Sequence, residues 1–308
     1  MRHAILDLGT NTFHLLIVES APDGSYQVLL QAKSVVKLGE GAIGRNHIAE
    51  QPFERGIKAV AEFANQIKTF DVDQIHGYAT SAVRSSDNGA LFVKRIYETT
   101  GIQISVISGE QEAELIYYGI RQCVPLTDSP VLMMDIGGGS IEFVIGNKES
   151  IFWKRSYNIG VARLLDVYQP SDPISHDQIQ DIEDFLRREL AELPIALREY
   201  PVSCIIGSSG SFESYAEMIS LWQTGKLPDL SSCSYTFDLK QYFELHQRLI
   251  VSSREERMSM KGLLKMRVDM IVLASIVTNY ILHVYEFKEM KLSSYSLQEG
   301  ALWKCLNS

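Results

Sequence analysis

Apolar positions along the chain fall into short blocks that change period. The stretch "HAILDLGTNTFHLLIVES" (3–20) is an apolar run broken by Asp7 and Gly9 and then resumed, which predicts a hairpin. With the run at 26–37 it predicts a meander of strands over 3–8, 12–19 and 26–37, turning at Pro22-Asp23-Gly24. A Gly-rich loop covers 36–50. Phe53, Ile57, Val60, Phe63, Ala64 and Ile67 recur at helical spacing and predict a helix over 52–69. Residues 74–86 read as strand then loop, 88–100 as helix and 102–107 as strand. Ser108 caps a helix over 108–124. Pro125 to Pro130 reads as a linker. The second half repeats hairpin, strand and helices, with long amphipathic helices over 176–199, 239–250 and 264–286. "SYSLQEGALWKCL" closes with a strand end and a helix. Strands alternating with helices give an α/β class, and the meanders make each sheet mixed.

The blocks contain an internal repeat. "VLMMDIGGGSIEFVIG" (131–146) again ends an apolar run on an acid, Asp135, with Gly137 two residues on. Asp7-Leu8-Gly9-Thr10-Asn11 lies over Asp135-Ile136-Gly137-Gly138-Gly139 at an offset of 128 residues. Two related α/β halves, each opening on a hairpin, follow from this. A carboxylate at a hairpin mouth is costly to desolvate unless something binds it. Glycine lets backbone N–H groups approach a ligand, a row of them forms an anion nest, and an adjacent Asp can hold Mg²⁺ against the same phosphate. A glycine hairpin with a capping acid is the alternative reading of either copy alone. A third loop, Gly207-Ser208-Ser209-Gly210-Ser211, joins an apolar strand to an amphipathic helix and reads as an anion site or simply as helix capping. It lacks the GxxxxGK[ST] of a P-loop.

Composition narrows the class. The 308 residues fit two domains. Hydrophobic residues at 45% and charged ones at 22% are those of an ordinary globular enzyme, without an apolar run long enough to span a bilayer. The start has no signal-peptide pattern. Cys123, Cys204, Cys233 and Cys305 lack CxxC spacing, which predicts reduced thiols, a cytoplasmic setting and no structural zinc. The histidines form no HxH or HxxxH pair. A net charge of −9 argues against duplex nucleic acid, and an anionic substrate then needs a local basic patch or metal ions. Arg254, Arg257, Lys261 and Lys265 would form one positive stripe if 253–267 were helical, although Gly262 weakens that helix; a solvated face balanced by Glu255 and Glu256 is the other reading.

The segments "LDLGTNTFHLLI", "KLGEG", "ATSAVRSSDN", "VISGEQEAELIY", "MDIGGGSIEFVIG", "NIGVARL", "GSSGS", "MRVDMI" and "SYSLQEGAL" resemble, in order and over almost the whole chain, the exopolyphosphatase and guanosine pentaphosphate phosphohydrolase family. That family sits within the actin, sugar kinase and Hsp70 superfamily, and this chain is similar to its short, two-domain form. The resemblance implies two ribonuclease-H-like, actin-like domains with mixed sheets around a cleft. One is 1–124 plus 295–308, with a returning C-terminal helix, and the other is 125–294. It implies a Mg²⁺-dependent phosphoanhydride hydrolase acting on inorganic polyphosphate or guanosine pentaphosphate, away from membranes, with a homodimer left open. Glu112 matches the catalytic Glu that orients or deprotonates water. Asp7, Asp135 and Glu142 match the acids of the metal and phosphate site. Thr10, Asn11, Gly137, Gly138, Gly139 and Ser140 match the first two phosphate loops, and Gly207, Ser208, Ser209 and Gly210 form the third. Arg84 matches a basic cleft residue, and Arg267 and Arg163 fall in matching segments. Lys37, Ile141 and the serines of "GSSGS" depart from the family's Arg and Thr. From the residues alone, Glu112 sits in the first turns of a helix, where charge compensation of the dipole would also explain it. A kinase-like phosphotransferase and a non-catalytic alarmone or polyphosphate sensor are the competing readings; the family segments oppose the first and the carboxylates the second.

Overall fold

The computed structural model describes residues 1–307. The first half holds β1 (Arg2–Leu8), β2 (Thr12–Ser20), β3 (Tyr26–Val35), α1 (Glu50–Thr69), β4 (Gln74–Ala79), α2 (Ser81–Ser85), α3 (Gly89–Thr100), β5 (Ile104–Val106) and α4 (Gly109–Cys123). The second begins with β6 (Val131–Ile136), β7 (Ile141–Gly146), β8 (Ile151–Tyr157), α5 (Val161–Tyr168), α6 (His176–Glu189) and α7 (Leu193–Glu199). It continues with β9 (Cys204–Ser208), α8 (Ser209–Thr224), β10 (Ser234–Phe237), α9 (Leu239–Val251), α10 (Arg254–Ser259), α11 (Ile271–Val284), β11 (Glu289–Ser293) and α12 (Leu297–Leu306).

Among the described residues the strands form two sheets, ordered β3-β2-β1-β4-β5 and β10-β11-β9-β6-β7-β8. In each, an antiparallel meander (β1-β2-β3, β6-β7-β8) is extended by parallel strands from its first member. The second sheet therefore repeats the first, with β10 added antiparallel at its edge. This is a paired α/β arrangement with mixed sheets.

Side-chain alternation decides the layers. Ala4, Leu6, Leu8, Phe13, Leu15 and Ile17 point to one side, under α1 and α3. Ile5, Leu16 and Val18 point to the other, where they meet α4, α12 and the inward residues Met133, Val144 and Ile206 of the second sheet. The outer face of that sheet, with Leu132, Met134, Phe143 and Ile205, is covered by α8, α9 and α11. So α4 and α12 are sandwiched between the sheets. They cross at Gly119 and Gly300: a Cβ on Gly119 would run into the Ser296 carbonyl, and one on Gly300 into that of Leu115. Among the described residues no helix is long and apolar enough to cross a membrane.

The structure departs from the sequence expectations in four places. Residues 81–85 are a short helix, α2, where a loop was expected. The helix expected over 176–199 is broken between Glu189 and Leu193, with Pro194 at the start of α7, where its missing N–H costs nothing. The helix expected over 264–286 begins only at Ile271, after a single 3₁₀ turn at Lys265–Arg267. Finally, 253–267 is not one helix: α10 stops at Ser259, and Gly262 turns the chain at φ +85°. The basic stripe is thereby dispersed. Arg254 pairs with Asp269, and buried Arg257 with Asp172.

Candidate active site

Each meander delivers an acid to the same place. Asp7 lies at the end of β1 and Asp135 at the end of β6, and the two turns that follow face one another across a cavity of about 630 Å³. Their approach requires glycine. A Cβ on Gly138 would come within 2.5 Å of Asn11 Nδ2, and one on Gly139 within 2.6 Å of Ser81 Oγ and 2.7 Å of Thr10 Oγ1. Gly137, Gly138 and Gly139 therefore line the wall with bare backbone, beside Thr10, Asn11 and Ser140.

Strand register sets which side chains stand next to each acid. Directly opposite residues of antiparallel strands share a face. In the second sheet the row is Asp135, Glu142, Ser156. In the first it is Asp7, His14, Lys33. The repeat offset that superposes Asp7 on Asp135 also superposes His14 on Glu142.

Asp135 is held by hydroxyls. Ser208 Oγ donates to its Oδ2 and Ser209 Oγ to its Oδ1, both at 2.6 Å, and Ser296 Oγ donates to Oδ2 at 2.5 Å. Glu142 is buried and accepts from Ser156 Oγ at 2.7 Å. Glu112 enters from α4. Ser108 and Gln111 close a capping box that fixes the start of that helix, a motif worth roughly 1 kcal/mol. Buried Glu112 accepts from Arg84 Nη1 at 2.7 Å, and the same nitrogen donates to the Ile107 carbonyl at 3.1 Å.

These carboxylates are electrostatically strained. Burial pushes Glu112 up to about 7, with Arg84 pulling the other way and Asp135 adding to the rise. Asp7 is raised well above the usual carboxylate range by burial and then by the charges of Glu112, Asp135 and Glu299. Glu142 is raised by burial and by Glu112 and Asp135. Glu299 is lifted by burial to about 7. Desolvated acids crowded together favour a proton or a bound cation.

Not every residue singled out in the sequence faces the cavity. Asp7, Thr10, Asn11, Glu112, Asp135, Gly137, Gly138, Gly139, Ser140, Ser209, Gly210 and Arg267 line it. Arg84 stands behind Glu112, and Glu142 beside Asp135 on the next strand; neither lines the cavity. Ser208 is buried and spent on Asp135. Gly207 lies inside β9, where a Cβ would strike the Phe212 ring, so it serves packing. Arg163 spans the cleft, donating to the Ile43 carbonyl at 2.9 Å, Asn46 Oδ1 at 3.0 Å and Ser85 Oγ at 3.1 Å.

Sequence reasoning missed His14, Lys33, Ser81, Glu213, Ser296 and Glu299, all on the cavity wall. The Ser81 hydroxyl is buried and among the described residues has no hydrogen-bond partner. Ser296 and Glu299 carried a legible signal, the S-x-x-E of a capping box, which is formed at the start of α12. Nothing local told that Ser296 reaches Asp135.

Among the described residues no three His, Cys, Asp or Glu side chains are grouped as a ready metal site. Mg²⁺ needs less: one or two carboxylates, completed by phosphate oxygens and water. The hard oxygens of Asp7 and Asp135 face one cavity and have that chemistry. Glu142 does not line it.

Residues 16–308 match the Ppx/GppA phosphatase family. The chain belongs to that family. It is therefore a phosphoanhydride hydrolase. Among its relatives, exopolyphosphatase 1 of Mycobacterium tuberculosis is 26% identical over 309 aligned positions, covering 100% of this chain and 89% of the relative. The crystal structure of an exopolyphosphatase from Cytophaga hutchinsonii superposes with a TM-score of 0.96 at 36% identity, covering 100% of this chain and 98% of that one. The Ppx/GppA family member from Aquifex aeolicus has the same fold, with a TM-score of 0.82 at 24% identity over 100% and 98% of the two chains.

Proposed function

We propose that this Ppx/GppA family member is an exopolyphosphatase, hydrolysing the terminal phosphate of inorganic polyphosphate with Mg²⁺. The observation that carries this reading is Glu112, a buried carboxylate tied to Arg84 and facing two opposed glycine turns across one cavity. The exopolyphosphatases of M. tuberculosis and C. hutchinsonii among its relatives support the choice of substrate.

Phosphoryl transfer demands an in-line water, a group to position it, and positive charge on the non-bridging oxygens. Glu112 accepts the water proton as the water oxygen joins the terminal phosphorus. The bond from that phosphorus to the bridging oxygen breaks, and the shortened chain leaves with the electron pair. Backbone N–H groups of 137–139 and the hydroxyls of Thr10 and Ser81 bind the phosphoryl oxygens. Asp7 and Asp135 are the residues that would hold Mg²⁺, which when bound neutralises charge on those oxygens. Four free cysteines accord with a reducing, cytoplasmic setting.

The test is phosphate release with Mg²⁺ from long-chain polyphosphate and from guanosine pentaphosphate, using Glu112→Gln as the blank. A general base contributes roughly 10²–10⁴-fold, so the variant should lose about that much kcat while keeping its melting temperature. Release from the nucleotide alone would reassign the substrate. Full activity of Glu112→Gln would remove Glu112 from the mechanism.

A further inference from the structure

Cys123 and Cys233 are 110 residues apart in sequence and in contact in the fold. Cys123 is the last residue of α4 and is buried; Cys233 is half-buried and immediately precedes β10. The Cys123 thiol donates from Sγ to the Cys233 carbonyl at 2.6 Å, and it also reaches the Cys233 thiol. Burial and then this neighbour push the Cys233 thiol up to about 12. The other two thiols face different groups: Lys291 and Glu289 act on Cys204, and Tyr78 and Lys304 on Cys305.

The backbone of Cys233 stands at φ +52°, in the left-handed region that is unfavourable for a residue with a Cβ. Its carbonyl collects three donors. Besides the Cys123 thiol they are the N–H and the hydroxyl of Ser294, both at 2.8 Å. A carbonyl oxygen has two lone pairs and a thiol is a weak donor, so the oxygen stays satisfied when Cys123 is withdrawn. Little is lost, then, if the Cys123 sulfur takes another partner. The contact also leads to the active site. Ser234, next to Cys233, pairs with Ser293 at the end of β11, and Ser296 donates to Asp135 just beyond. Ser294, Tyr295 and Ser296 all line the cavity.

We infer that Cys123 and Cys233 are a reversible disulfide pair, and that closing the bond draws the 294–296 segment off Asp135 and lowers turnover. The effect on turnover rests on the phosphohydrolase reading above; the bond itself does not. The oxidant is a small disulfide, here oxidised glutathione. The half-buried Cys233 sulfur loses its proton and attacks it, forming a mixed disulfide as one glutathione leaves. The Cys123 sulfur then displaces the second glutathione from Cys233. Two protein thiols are oxidised, one glutathione disulfide is reduced to two thiols, and the two protons pass to the leaving sulfurs. A thiol held up at about 12 is scarcely ionised at neutral pH, so the first attack is slow. Excess thiol runs the same steps backwards.

The experiment incubates the full chain with oxidised glutathione and compares the wild type with Cys123→Ser and Cys233→Ser. Free thiols are counted, the intact mass is measured without reductant, and phosphate release from long-chain polyphosphate is followed. The wild type should lose two of its four free thiols and roughly 2 Da, and digestion should give a peptide pair joined between 123 and 233. Its kcat should fall about tenfold, the scale of one lost hydrogen bond to a charged group, and dithiothreitol should restore it. Cys233→Ser should keep its kcat and its remaining thiols. Cys123→Ser should stop at the mixed disulfide and gain the mass of one glutathione. A wild type that keeps four free thiols, or that joins a different pair, would overturn the inference, as would a bond between 123 and 233 that leaves kcat unchanged. The thiol count and the mass need no substrate, so they judge the pair even if polyphosphate is not hydrolysed.

Discussion

Arg84 and Glu112 meet at 2.7 Å across 28 residues of sequence, with both side chains largely withdrawn from solvent. The guanidinium is the one influence that opposes the burial pushing Glu112 up to about 7. The base role proposed for Glu112 requires the ionised carboxylate, so the rate should rise with pH through its titration. Arg84→Ala removes the stabilising cation, and the acid limb of kcat/KM should move to higher pH, lowering the rate at neutrality. Arg84→Lys should recover part of the shift. A pH–rate profile of each variant checks this, and an unmoved acid limb would separate Arg84 from the water-activating group.

Gly300 is where α12 touches α4, with no room for a methyl group against the Leu115 carbonyl. Gly300→Ala should push the helices apart and destabilise the protein by about 1–3 kcal/mol, the usual cost of overpacking. Because Ser296 is carried by the same segment, its bond to Asp135 should loosen too. Urea unfolding would show the first effect and phosphate release the second; a variant as stable as the wild type would show that the crossing relaxes freely.

Arg163 and Asp166, both on α5, grip the opposite side of the cleft. Arg163 donates to three groups there, and Asp166 Oδ2 accepts from the Gly44 N–H at 2.9 Å. Arg163→Ala combined with Asp166→Asn should let the cleft open, enlarging the radius of gyration in small-angle scattering and raising KM. An unchanged scattering profile would show that α12 and the 125–130 segment hold the halves together without this clasp.

His246 is buried, bonds through Nδ1 to Ser275 Oγ at 3.1 Å, and is held down to about 4 by burial and the nearby His283. The unfolded chain takes up this proton near 6.5, so between about 6.5 and 4 it binds more protons than the folded one. Stability should therefore fall as pH drops through that window, by on the order of 2–3 kcal/mol for this group. His246→Gln should flatten that part of the stability curve in denaturant titrations; an identical acid dependence would assign it to the carboxylates.

What the sequence revealed and what it hid divide along a physical line. The two acid-glycine turns were legible because each is local: a strand, an acid and the glycine that lets backbone approach a ligand. The helix cap at Ser108 was legible for the same reason. His14 and Lys33 were not, because their place beside Asp7 depends on strand register across β1, β2 and β3, and β3 slips by a bulge at Ile17/Val18. The stripe from Arg254 to Lys265 stayed between two readings because spacing alone does not tell that α10 stops at Ser259 and that the chain turns at Gly262. The bond from Ser296 to Asp135 lay beyond local reasoning, since the two are 161 residues apart.

That last separation bears on the order in which the protein is made. Asp135 leaves the ribosome first, and the hydroxyl of Ser296 and the helix that wedges α4 between the sheets follow 161 residues later. A nascent chain stalled before residue 296 carries Glu112, Asp135 and both glycine turns, yet lacks one wall of the cavity they share. The cavity is walled on that side only once residue 296 has joined the chain.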